Sequence, residues 1–392
     1  MSTTGKKLNI VLLTSTRFHK SKGGTEKVMI DTANAMTARG HKVKIIFRDN
    51  KGSEPGFILN DSVELINCAK VKTPMKYLRI VCDIRSMSIS KEKRNYKRAL
   101  LNLKTEAYRF KEAIESTDAD IYVTYDPKLT AMLQNEFGIK KPVVTTFQFD
   151  PEHIFRRYYF NTIKTMISKV GPVQVLLPIF EKKIKSQIPD VECITIPNAV
   201  QPFEVNKKLD SKVILNIARV MPLKNQKLIA EAMLLVNQKY PNWKVRIVGE
   251  DNVDPDYSNS IKTYLNSHGL QDIVYFCGPK DDISEEFLKC SIFVFPSISE
   301  GFGLALAESM SAGLPCVGLK ACSAVSCLIR NNQNGILCDN SAESLANALI
   351  QLISDRDLRL RLGSQAQKDM QEYLPEVIWQ KWENLFLSLV RR

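Results

Sequence analysis

Residues 292–319 read IFVFPSISEGFGLALAESMSAGLPCVGL, and this stretch decides the fold. It opens with a short apolar run, Ile292–Phe295, of the kind that forms a buried strand in a parallel sheet. A helix is predicted to begin near Gly303 and to end at Gly313, because Pro315 shortly afterwards prevents its continuation. A second apolar run follows the helix. Strand, loop, helix and strand predict a βαβ unit, and hence an α/β protein with a parallel sheet.

The loop between this strand and this helix is predicted to bind a ligand. In open α/β sheets, ligands lie outside the carboxyl ends of the strands, which is where residues 297–304 fall. Gly301 and Gly303, on either side of Phe302, have no Cβ, so the backbone up to Leu304 can offer its N–H groups to an anion. The N-terminus of the helix adds a partial positive charge. We therefore expect the loop to hold a phosphate.

Two carboxylates flank this predicted anion site, at Glu300 and Glu308. Because carboxylates repel phosphate, we expect them to accept hydrogen bonds from hydroxyl groups, Glu300 from a sugar and Glu308 from a ribose. A hydroxyl-rich ligand joined to a diphosphate describes a nucleotide sugar. Two glutamates eight residues apart, or Gly-x-Gly before a helix, are each more often structural than diagnostic when they occur alone.

Taken together, these features resemble the signature of the family-4 retaining glycosyltransferases of GT-B fold. The resemblance rests on Glu300-Gly-Phe-Gly, on the seven residues between the two glutamates and on the Ala-Gly-Leu-Pro-Cys-Val ending. It covers most of the chain, strongly from 212 to 350 and loosely before about 150. It implies two Rossmann-like domains facing each other across a cleft. It also implies attack from the leaving-group face, with a phosphate oxygen receiving the acceptor proton.

The second domain is predicted over residues 206–370, with its first strand at residues 213–218. Arg219 and Lys224 follow at the carboxyl end of that strand, where a guanidinium and an ammonium suit a diphosphate. As an isolated pair, such cations are more often a coincidence of the surface. Their spacing resembles the phosphate clamp of the family, R-x4-K, in which glycine more often follows the lysine. This chain has Asn225 at that position.

The first domain is predicted over residues 1–205 and opens with an apolar strand at residues 8–14. Gly23 and Gly24 then precede a helix. An ordinary βα turn and a phosphate-binding loop account equally well for this glycine pair. The resemblance favours the second, because family members carry a similar G-G-x-E loop that faces the donor diphosphate. Gly24 is therefore the expected contact in this domain.

A third position of interest follows the predicted strand at residues 142–147. The family usually has a histidine near the end of this strand, in contact with the transferred sugar. Here the matching position is Gln148, and His153 lies five residues further on as an alternative. With Glu300, Gln148 is a predicted catalytic residue. At the other end of the chain, residues 371–392 are apolar-periodic and are predicted to form a helix that packs back on the first domain.

The charge of the chain is unevenly distributed. The 392 residues carry a net charge of +13, and all of this excess lies in residues 1–205, which hold 34 Lys and Arg against 21 Asp and Glu. Such asymmetry indicates that the first half meets an anionic surface or substrate. Residues 73–117 are predicted to be helical, with a basic cluster at residues 93–98. A basic amphipathic helix can lie on an anionic membrane, although a run of charges is more often a solvated face.

We expect no metal and no other cofactor. The nine cysteines and four histidines form no zinc pattern. Three Asp-x-Asp matches, at residues 118–120, 254–256 and 355–357, are interpreted as structural or solvated. The polar amino end and the lack of a long apolar run predict a cytoplasmic protein without a signal peptide. The basic first half is the part expected to contact the cytoplasmic face of an anionic membrane.

The sequence thus predicts a retaining glycosyltransferase. It would move a sugar from a nucleoside-diphosphate sugar to a hydroxyl group of a glycan or lipid-linked acceptor, in surface polysaccharide or glycolipid synthesis. One alternative is a sugar-nucleotide epimerase of the same fold, which would turn over the donor without an acceptor. The other is a non-enzymatic polyanion-binding protein. Nucleic acid is not expected as a partner, because the chain has no RNA-binding motif.

Overall fold

A computed structural model describes residues 6–15, 17–70, 90–157, 159–206 and 208–391. The chain divides into two compact units, Met1–Pro197 with Ile378–Arg392, and Asn198–Val377. The boundary therefore falls at 197/198, where the sequence predicted 205/206. The reason is that the connector packs with the second unit. The Val200 N–H donates to the Tyr373 carbonyl over 2.8 Å, and the Asn206 amide donates to the Leu288 carbonyl over 2.8 Å.

The first unit has a sheet of seven described strands, all parallel, in the order β3-β2-β1-β4-β5-β6-β7. The strands are β1 (Asn9–Leu13), β2 (Lys42–Phe47), β3 (Glu64–Asn67), β4 (Ile121–Thr124), β5 (Val143–Phe147), β6 (Val173–Val175) and β7 (Cys193–Thr195). The described helices are α1 (Gly24–Ala38), α2 (Lys91–Glu115), α3 (Pro127–Phe137), α4 (Glu152–Phe155), α5 (Phe160–Ile167) and α6 (Pro178–Gln187), with a 3-10 turn at Cys68–Lys70.

The basic segment of this unit is helical over the part that the structure describes. Ser90 caps α2 by accepting a hydrogen bond from the Lys93 N–H. The apolar stripe of α2 is buried, and it consists of Ala99, Leu103, Ala107, Phe110, Ala113 and Ile114. The prediction of a helix is therefore confirmed for Lys91–Glu115, whereas residues 73–89 lie outside the described residues. Burial of the stripe means that α2 contributes to the core of the unit.

The second unit has a sheet of six described strands, again all parallel, in the order β10-β9-β8-β11-β12-β13. They are β8 (Val213–Ile217), β9 (Lys244–Val248), β10 (Val274–Phe276), β11 (Ile292–Phe295), β12 (Cys316–Leu319) and β13 (Gly335–Cys338). The helices are α7 (Gln226–Lys239), α8 (Pro255–Ser267), α9 (Ser284–Leu288), α10 (Leu304–Ser311), α11 (Ser323–Leu328), α12 (Ala342–Ser354) and α13 (Arg356–Asp369). A last helix, α14 (Pro375–Arg391), begins in this unit. Two 3-10 turns lie at Pro222–Lys224 and Met370–Tyr373.

The βαβ unit predicted at residues 292–319 is confirmed as β11, α10 and β12. Gly303 precedes α10 with φ +87° and Gly313 follows it with φ +73°. Both glycines therefore occupy the left-handed region that side chains disfavour. The strand order reverses between β8 and β11, so this βαβ unit lies at the topological switch point of its sheet.

The last helix, α14, joins the first unit from Ile378 onwards. Its side chain Glu383 lies 3.3 Å from the His41 ring and 3.5 Å from the Arg39 guanidinium. Trp382 and Phe386 are buried, with ring centroids 5.4 Å apart. In the described part of the chain, every helix is too short or too polar to cross a lipid bilayer.

Candidate functional site

The candidate site is built from the loops that leave β8 and β11 at the switch point. The two strands are neighbours in the sheet, with Ile214 opposite Ile292 and Leu215 opposite Phe293. Because they are parallel, their carboxyl ends lie side by side. A hydrogen bond of 2.9 Å from the Ile298 N–H to the Leu223 carbonyl ties one loop to the other. The structure therefore brings together the two sequence segments from which the donor site was predicted.

The loop after β8 holds its backbone rigidly and leaves Arg219 open. The buried side chain of Gln226 donates to the Arg219 carbonyl over 3.0 Å and accepts from the Met221 N–H over 3.4 Å. The Val220 N–H donates to the Glu250 carbonyl over 2.8 Å. The Arg219 side chain is exposed, and its guanidinium has no hydrogen-bond or ion-pair partner among the described residues. It is therefore available to an anion.

The departure from the family pattern at Asn225 has a simple structural reason. Asn225 ends the Pro222–Lys224 turn with φ +56° and ψ +36°, in the left-handed region. Glycine adopts this conformation most easily, and asparagine is among the few other residues that tolerate it. Its side chain also donates to Asn340 over 2.9 Å. Asparagine thus fulfils the backbone requirement that glycine usually meets at this position.

Lys224 and Glu300 form an ion pair within the site. The Lys224 Nζ donates to Oε1 of Glu300 over 2.5 Å, with the two side chains 20% and 12% exposed. The Lys224 ammonium also lies 6.0 Å from the centroid of the Phe295 ring, at the end of β11. Sequence reasoning assigned these residues to different parts of a donor and did not foresee their contact. The pair places a cation beside the carboxylate that lies in the loop between β11 and α10.

The N-terminus of α10 provides backbone donors beside this ion pair. No side chain caps the helix at Gly303, and the Ala307 N–H is the one that bonds to the Gly303 carbonyl. The preceding N–H groups of the first turn, beginning with Leu304, therefore have no partner within the helix. Glu308 lies one turn after Leu304, on the same face of α10, and is 8% exposed. The terminus suits an anion, and Glu308 suits a hydroxyl group beside it.

The two residues between Glu300 and Gly303 are buried. Phe302 is 2% exposed, and its ring lies 5.5 Å from the ring of Tyr373, centroid to centroid. Its side chain therefore anchors the loop to the unit's interior, so that Phe302 can meet a ligand through its backbone. Gly301 is also buried. The thiol of Cys322, which neighbours Glu300, has a pKa raised by burial and is therefore neutral.

Two buried polar atoms at the same edge of the sheet were not predicted. Ser297 follows β11 and is 1% exposed, and its hydroxyl has no hydrogen-bond partner. Asn216, in β8, donates to the Val294 carbonyl over 2.8 Å, and its Oδ1 is buried without a partner. Such atoms are rare in folded proteins. A polar residue inside the apolar strand Val213–Ile217 was the signal that could have identified Asn216.

The first unit places Gly24 as predicted, at the N-terminus of a helix. Gly24 is the first residue of α1 and is exposed, and a Cβ added there would meet nothing within 4 Å. Gly23 precedes it in an extended conformation. A Cβ at Gly23 would collide with the buried carboxylate of Glu26. The Glu26 carboxylate thus fills the space that a side chain at position 23 would need, which explains why glycine and glutamate occur together in G-G-x-E. Gly24 is open to solvent.

Gln148 and His153 have different surroundings. Gln148 directly follows β5, is half-buried, and its Nε2 lies 3.5 Å from Oε1 of Gln174. The buried Gln174 in turn donates to the Ile196 carbonyl. His153 is exposed on the short helix α4. Gln148 therefore lies directly at the end of β5, whereas His153 lies on a separate helix five residues further on.

One aspartate in each Asp-x-Asp match has a structural role. Asp120 accepts from the Asn9 N–H over 2.8 Å. Asp254 caps α8 through the Tyr257 N–H, and Asp355 caps α13 through the Leu358 N–H. This confirms their interpretation as structural residues. Among the residues that the structure describes, no group of three or more His, Cys, Asp or Glu side chains is arranged to hold a metal ion.

Comparison with protein families gives one match on the second unit. The model of glycosyl transferases group 1 matches residues 198–369. A curated protein of Haemophilus influenzae described as a glycosyltransferase is 24% identical over 374 residues, covering 93% of this chain and 96% of its own. An exopolysaccharide phosphotransferase of Streptomyces coelicolor is 24% identical over 392 residues, covering 94% of this chain and 40% of its own.

Solved structures have the same fold over the whole chain. Sucrose-phosphate synthase from Thermosynechococcus elongatus superimposes with a TM-score of 0.78 at 18% identity, covering 98% of this chain and 99% of its own. Staphylococcus aureus TarM, solved with fondaparinux, α-GlcNAc-glycerol and UDP, superimposes with a TM-score of 0.76 at 18% identity. The coverage is 97% of this chain and 99% of TarM. At this identity the likeness concerns the fold, two α/β units with parallel sheets.

Proposed function

We propose that the chain is a member of glycosyl transferases group 1, whose model matches residues 198–369, and that it transfers a sugar from a nucleoside-diphosphate sugar to a hydroxyl group. Its GT-B fold supports this proposal. The observation that carries this proposal is the grouping at one switch point of a free guanidinium, an uncapped helix N-terminus and two carboxylates. Cations and N–H groups match a diphosphate, and carboxylates match hydroxyl groups.

The reaction places a demand on the positive groups of the site. As the glycosidic C–O bond breaks, negative charge develops on the departing diphosphate, and groups already aimed at it lower the barrier. We assign this role to Arg219, Lys224 and the backbone N–H groups at 301–304. With these charges in place, no metal ion is required. The acceptor hydroxyl attacks from the face that the diphosphate leaves, which retains the anomeric configuration, and its proton passes to a phosphate oxygen.

The two carboxylates have separate roles in this proposal. Glu300 accepts hydrogen bonds from hydroxyl groups of the transferred sugar and orients it, while Glu308 binds the ribose. Without a donor, the ion pair with Lys224 keeps the Glu300 carboxylate in position. When the donor binds, the Lys224 ammonium can share its hydrogen atoms between the carboxylate and a phosphate, since an ammonium has three donors.

The first unit is proposed to supply Gly24 and Gln148. The open surroundings of Gly24 at the start of α1 allow its N–H to approach a diphosphate oxygen. The Gln148 amide, placed at the end of β5, can donate to a sugar hydroxyl. Between Gln148 and His153, the half-buried position of Gln148 and its contact with Gln174 favour Gln148.

Thermal unfolding with nucleoside diphosphates tests the donor class. The purified chain is melted with UDP, GDP, ADP or dTDP in the presence of EDTA, with Glu308→Ala as the matched variant. A ligand at about 100 times its Kd stabilises the folded state by roughly 2.7 kcal/mol. We expect UDP, the nucleotide named with TarM, to stabilise the chain and Glu308→Ala to lose the effect. Failure of all four nucleotides would contradict the proposed donor site.

For the acceptor, we propose a glycan or a lipid-linked glycan of a surface polysaccharide at the cytoplasmic face of a membrane. The name of the Streptomyces relative and the basic first unit support this choice. Incubation of a labelled UDP-sugar with lipid-linked and soluble glycan acceptors, followed by product separation, tests it. Conversion of the donor to another nucleotide sugar without acceptor would instead establish the epimerase alternative.

Membrane contact through α2 is proposed to be electrostatic. Lys93 and Lys97 are exposed, and Tyr96 beside them is 52% exposed. The apolar stripe of α2 is buried, so the basic face is the part available to a lipid surface. Cosedimentation with anionic vesicles should fall in Lys93→Gln/Lys97→Gln and stay unchanged in the control Lys140→Gln/Lys141→Gln. Equal binding of both variants would exclude this contact.

A further inference from the structure

A polar cavity of 530 Å³ lies in the second unit, away from the residues assigned to the donor. It is formed by the turn before β13 and by one face of α13. Its lining side chains are all polar, and three of them are cationic. They are Arg330, Gln333, Arg361, Ser364, Gln365 and Lys368.

The position of this cavity in the sheet separates it from the candidate donor site. Arg330 and Gln333 precede β13 and therefore lie at the amino end of that strand. The loops with Lys224 and Glu300 leave the carboxyl ends of β8 and β11. Since all described strands of this sheet are parallel, the two sites lie at opposite edges of it. A ligand in the cavity would not occupy the donor site.

A hydrogen-bond network fixes the shape of the cavity. The carboxylate of Asp369 accepts from Arg330 at 2.6 Å on both oxygens, from Asn334 over 2.7 Å and from Gln365 over 2.9 Å. Asn334 is buried, donates also to the Leu328 carbonyl, and accepts from the Arg330 N–H over 2.7 Å. The turn and the end of α13 are therefore held together before any ligand arrives.

The charges of the cavity are not balanced within it. The charge of Arg330 is matched by Asp369. Arg361 donates to the Asn332 carbonyl over 3.1 Å, and neither Arg361 nor Lys368 has a carboxylate partner in the described part of the chain. Arg361, Ser364, Gln365 and Lys368 follow helical spacing along one face, so the Cα atoms of Arg361 and Lys368 are about 10.5 Å apart along the helix axis. Residues 206–392 are neutral overall, which makes this surplus local.

We propose that this cavity binds a phosphate-bearing saccharide. Arg361 and Lys368 would bind the phosphate oxygens, and the Gln333, Ser364 and Gln365 side chains would exchange hydrogen bonds with sugar hydroxyl groups. The volume of 530 Å³ is within the range of about 300–1,000 Å³ that small-molecule sites have. The polar groups of all six lining side chains suit a saccharide. This site goes beyond the proposed transfer reaction and does not depend on it.

Binding of a defined probe to the full chain tests this proposal. The probe is a phosphorylated maltooligosaccharide, and the same oligosaccharide without phosphate is the comparison, both measured by titration calorimetry. We expect the phosphorylated form alone to bind, and Arg361→Gln/Lys368→Gln to weaken it by about tenfold or more. Raising the salt concentration from about 50 to about 500 mM should weaken binding to the parent chain and change that of the variant far less.

Two controls separate the cavity from general charge and from the donor site. Lys212→Gln/Lys239→Gln removes the same charge from exposed positions of the second unit that do not line the cavity. Arg219→Gln removes the free cation of the donor site. Both should leave binding of the probe unchanged, and melting curves confirm that every variant is folded. Equal binding by the cavity variant and the parent chain would overturn the proposal. So would loss of binding in Arg219→Gln, or binding of anionic vesicles through Arg361 and Lys368 without binding of the probe.

Discussion

Lys224 and Glu300, 76 residues apart in the chain, are ion-paired, with the Lys224 Nζ 2.5 Å from the Glu300 Oε1. Both side chains are mostly shielded from water, at 20% and 12% exposed, so each strongly influences the other's position. Removal of either residue therefore does more than delete its own contact with a donor, because it also releases its partner. The two residues are expected to act as one unit in binding and in catalysis.

A double-mutant cycle should reveal this coupling. Lys224→Ala and Glu300→Ala are each expected to lower kcat/KM by about 10²–10³, whereas the double variant should lose far less than the product of the two effects. Steady-state kinetics on all four proteins gives the coupling. The control is the exposed ion pair of Glu285 and Lys289, 2.7 Å apart, whose double alanine variant should keep kcat/KM within about twofold. Fully additive losses at 224 and 300 would contradict the coupling.

The two carboxylates should differ in the kinetic parameter that they affect. Glu308→Ala is expected to raise the donor KM by about tenfold with little change in kcat, because ribose binding is the same in the ground state and the transition state. Glu300→Ala is expected to act mainly on kcat, because it orients the reacting sugar. Initial rates at varied donor concentration separate the two. The opposite pattern would show that the assigned roles are exchanged.

Two glycines at helix N-termini should respond differently to alanine. At Gly303, where φ is +87°, a Cβ would meet its neighbours at 3.5–3.9 Å, so the strain arises from the backbone alone. Gly303→Ala should therefore lower the unfolding free energy by about 1–2 kcal/mol. Gly24→Ala meets nothing within 4 Å and should leave stability unchanged or slightly raised, while it raises the donor KM. Denaturant unfolding and donor kinetics of both variants check this, and equal destabilisation would refute it.

The left-handed conformation of Asn225 predicts an ordered series at this position. Asn225→Gly should unfold at the same denaturant concentration as the parent chain, because glycine adopts φ +56° without strain. Asn225→Ala should be about 1 kcal/mol less stable, since alanine disfavours that region. Loss of the exposed hydrogen bond to Asn340 is common to both variants, so their difference isolates the backbone. An alanine variant as stable as the glycine variant would be inconsistent with this account.

His41 should make the first unit less stable in mild acid. Burial lowers its pKa below 6.5, and this outweighs the nearby Glu383 carboxylate, which favours the charged ring. Below pH 6.5 the unfolded chain therefore binds more protons at this residue than the folded chain does. The free energy of unfolding decreases as the pH is lowered from 6.5 to the pKa of His41 in the folded state. Urea unfolding between pH 7 and pH 5 gives the free energy of unfolding of the parent chain and of His41→Gln. All other titratable groups are the same in the two proteins, so the difference between their pH profiles reports on His41. Identical pH profiles would remove His41 as the cause.

Much of the second unit could be predicted because its signals are local. The apolar run Ile292–Phe295, the glycines at 303 and 313 and the proline at 315 together determine β11 and α10 to within a residue or two. The periodicity from Pro375 likewise predicts α14. Asp254 and Asp355, in two of the Asp-x-Asp matches, cap the helices that follow them, which is a common role of aspartate before a helix. Each of these depends on interactions within about one turn of chain.

Other features could not be predicted from the sequence, because they depend on residues that are far apart in the chain. The buried ring of Phe302 depends on Tyr373, and the domain boundary depends on hydrogen bonds from Val200 and Asn206 to distant carbonyl groups. The unpaired polar atoms of Asn216 and Ser297 become visible when burial is known. No periodicity or motif carries such information, since contact between distant segments is decided by packing.

The sequence by itself determined the βαβ unit at residues 292–319, the parallel α/β character and the group of residues around Glu300, because backbone preferences and turn residues act over a few positions. The tertiary structure decided that Lys224 pairs with Glu300, that Arg219 is left free, and that Arg361 and Lys368 share a cavity with Arg330. The physical reason is that charge pairing and burial depend on distance in space, which the parallel sheet sets by bringing the ends of β8 and β11 side by side.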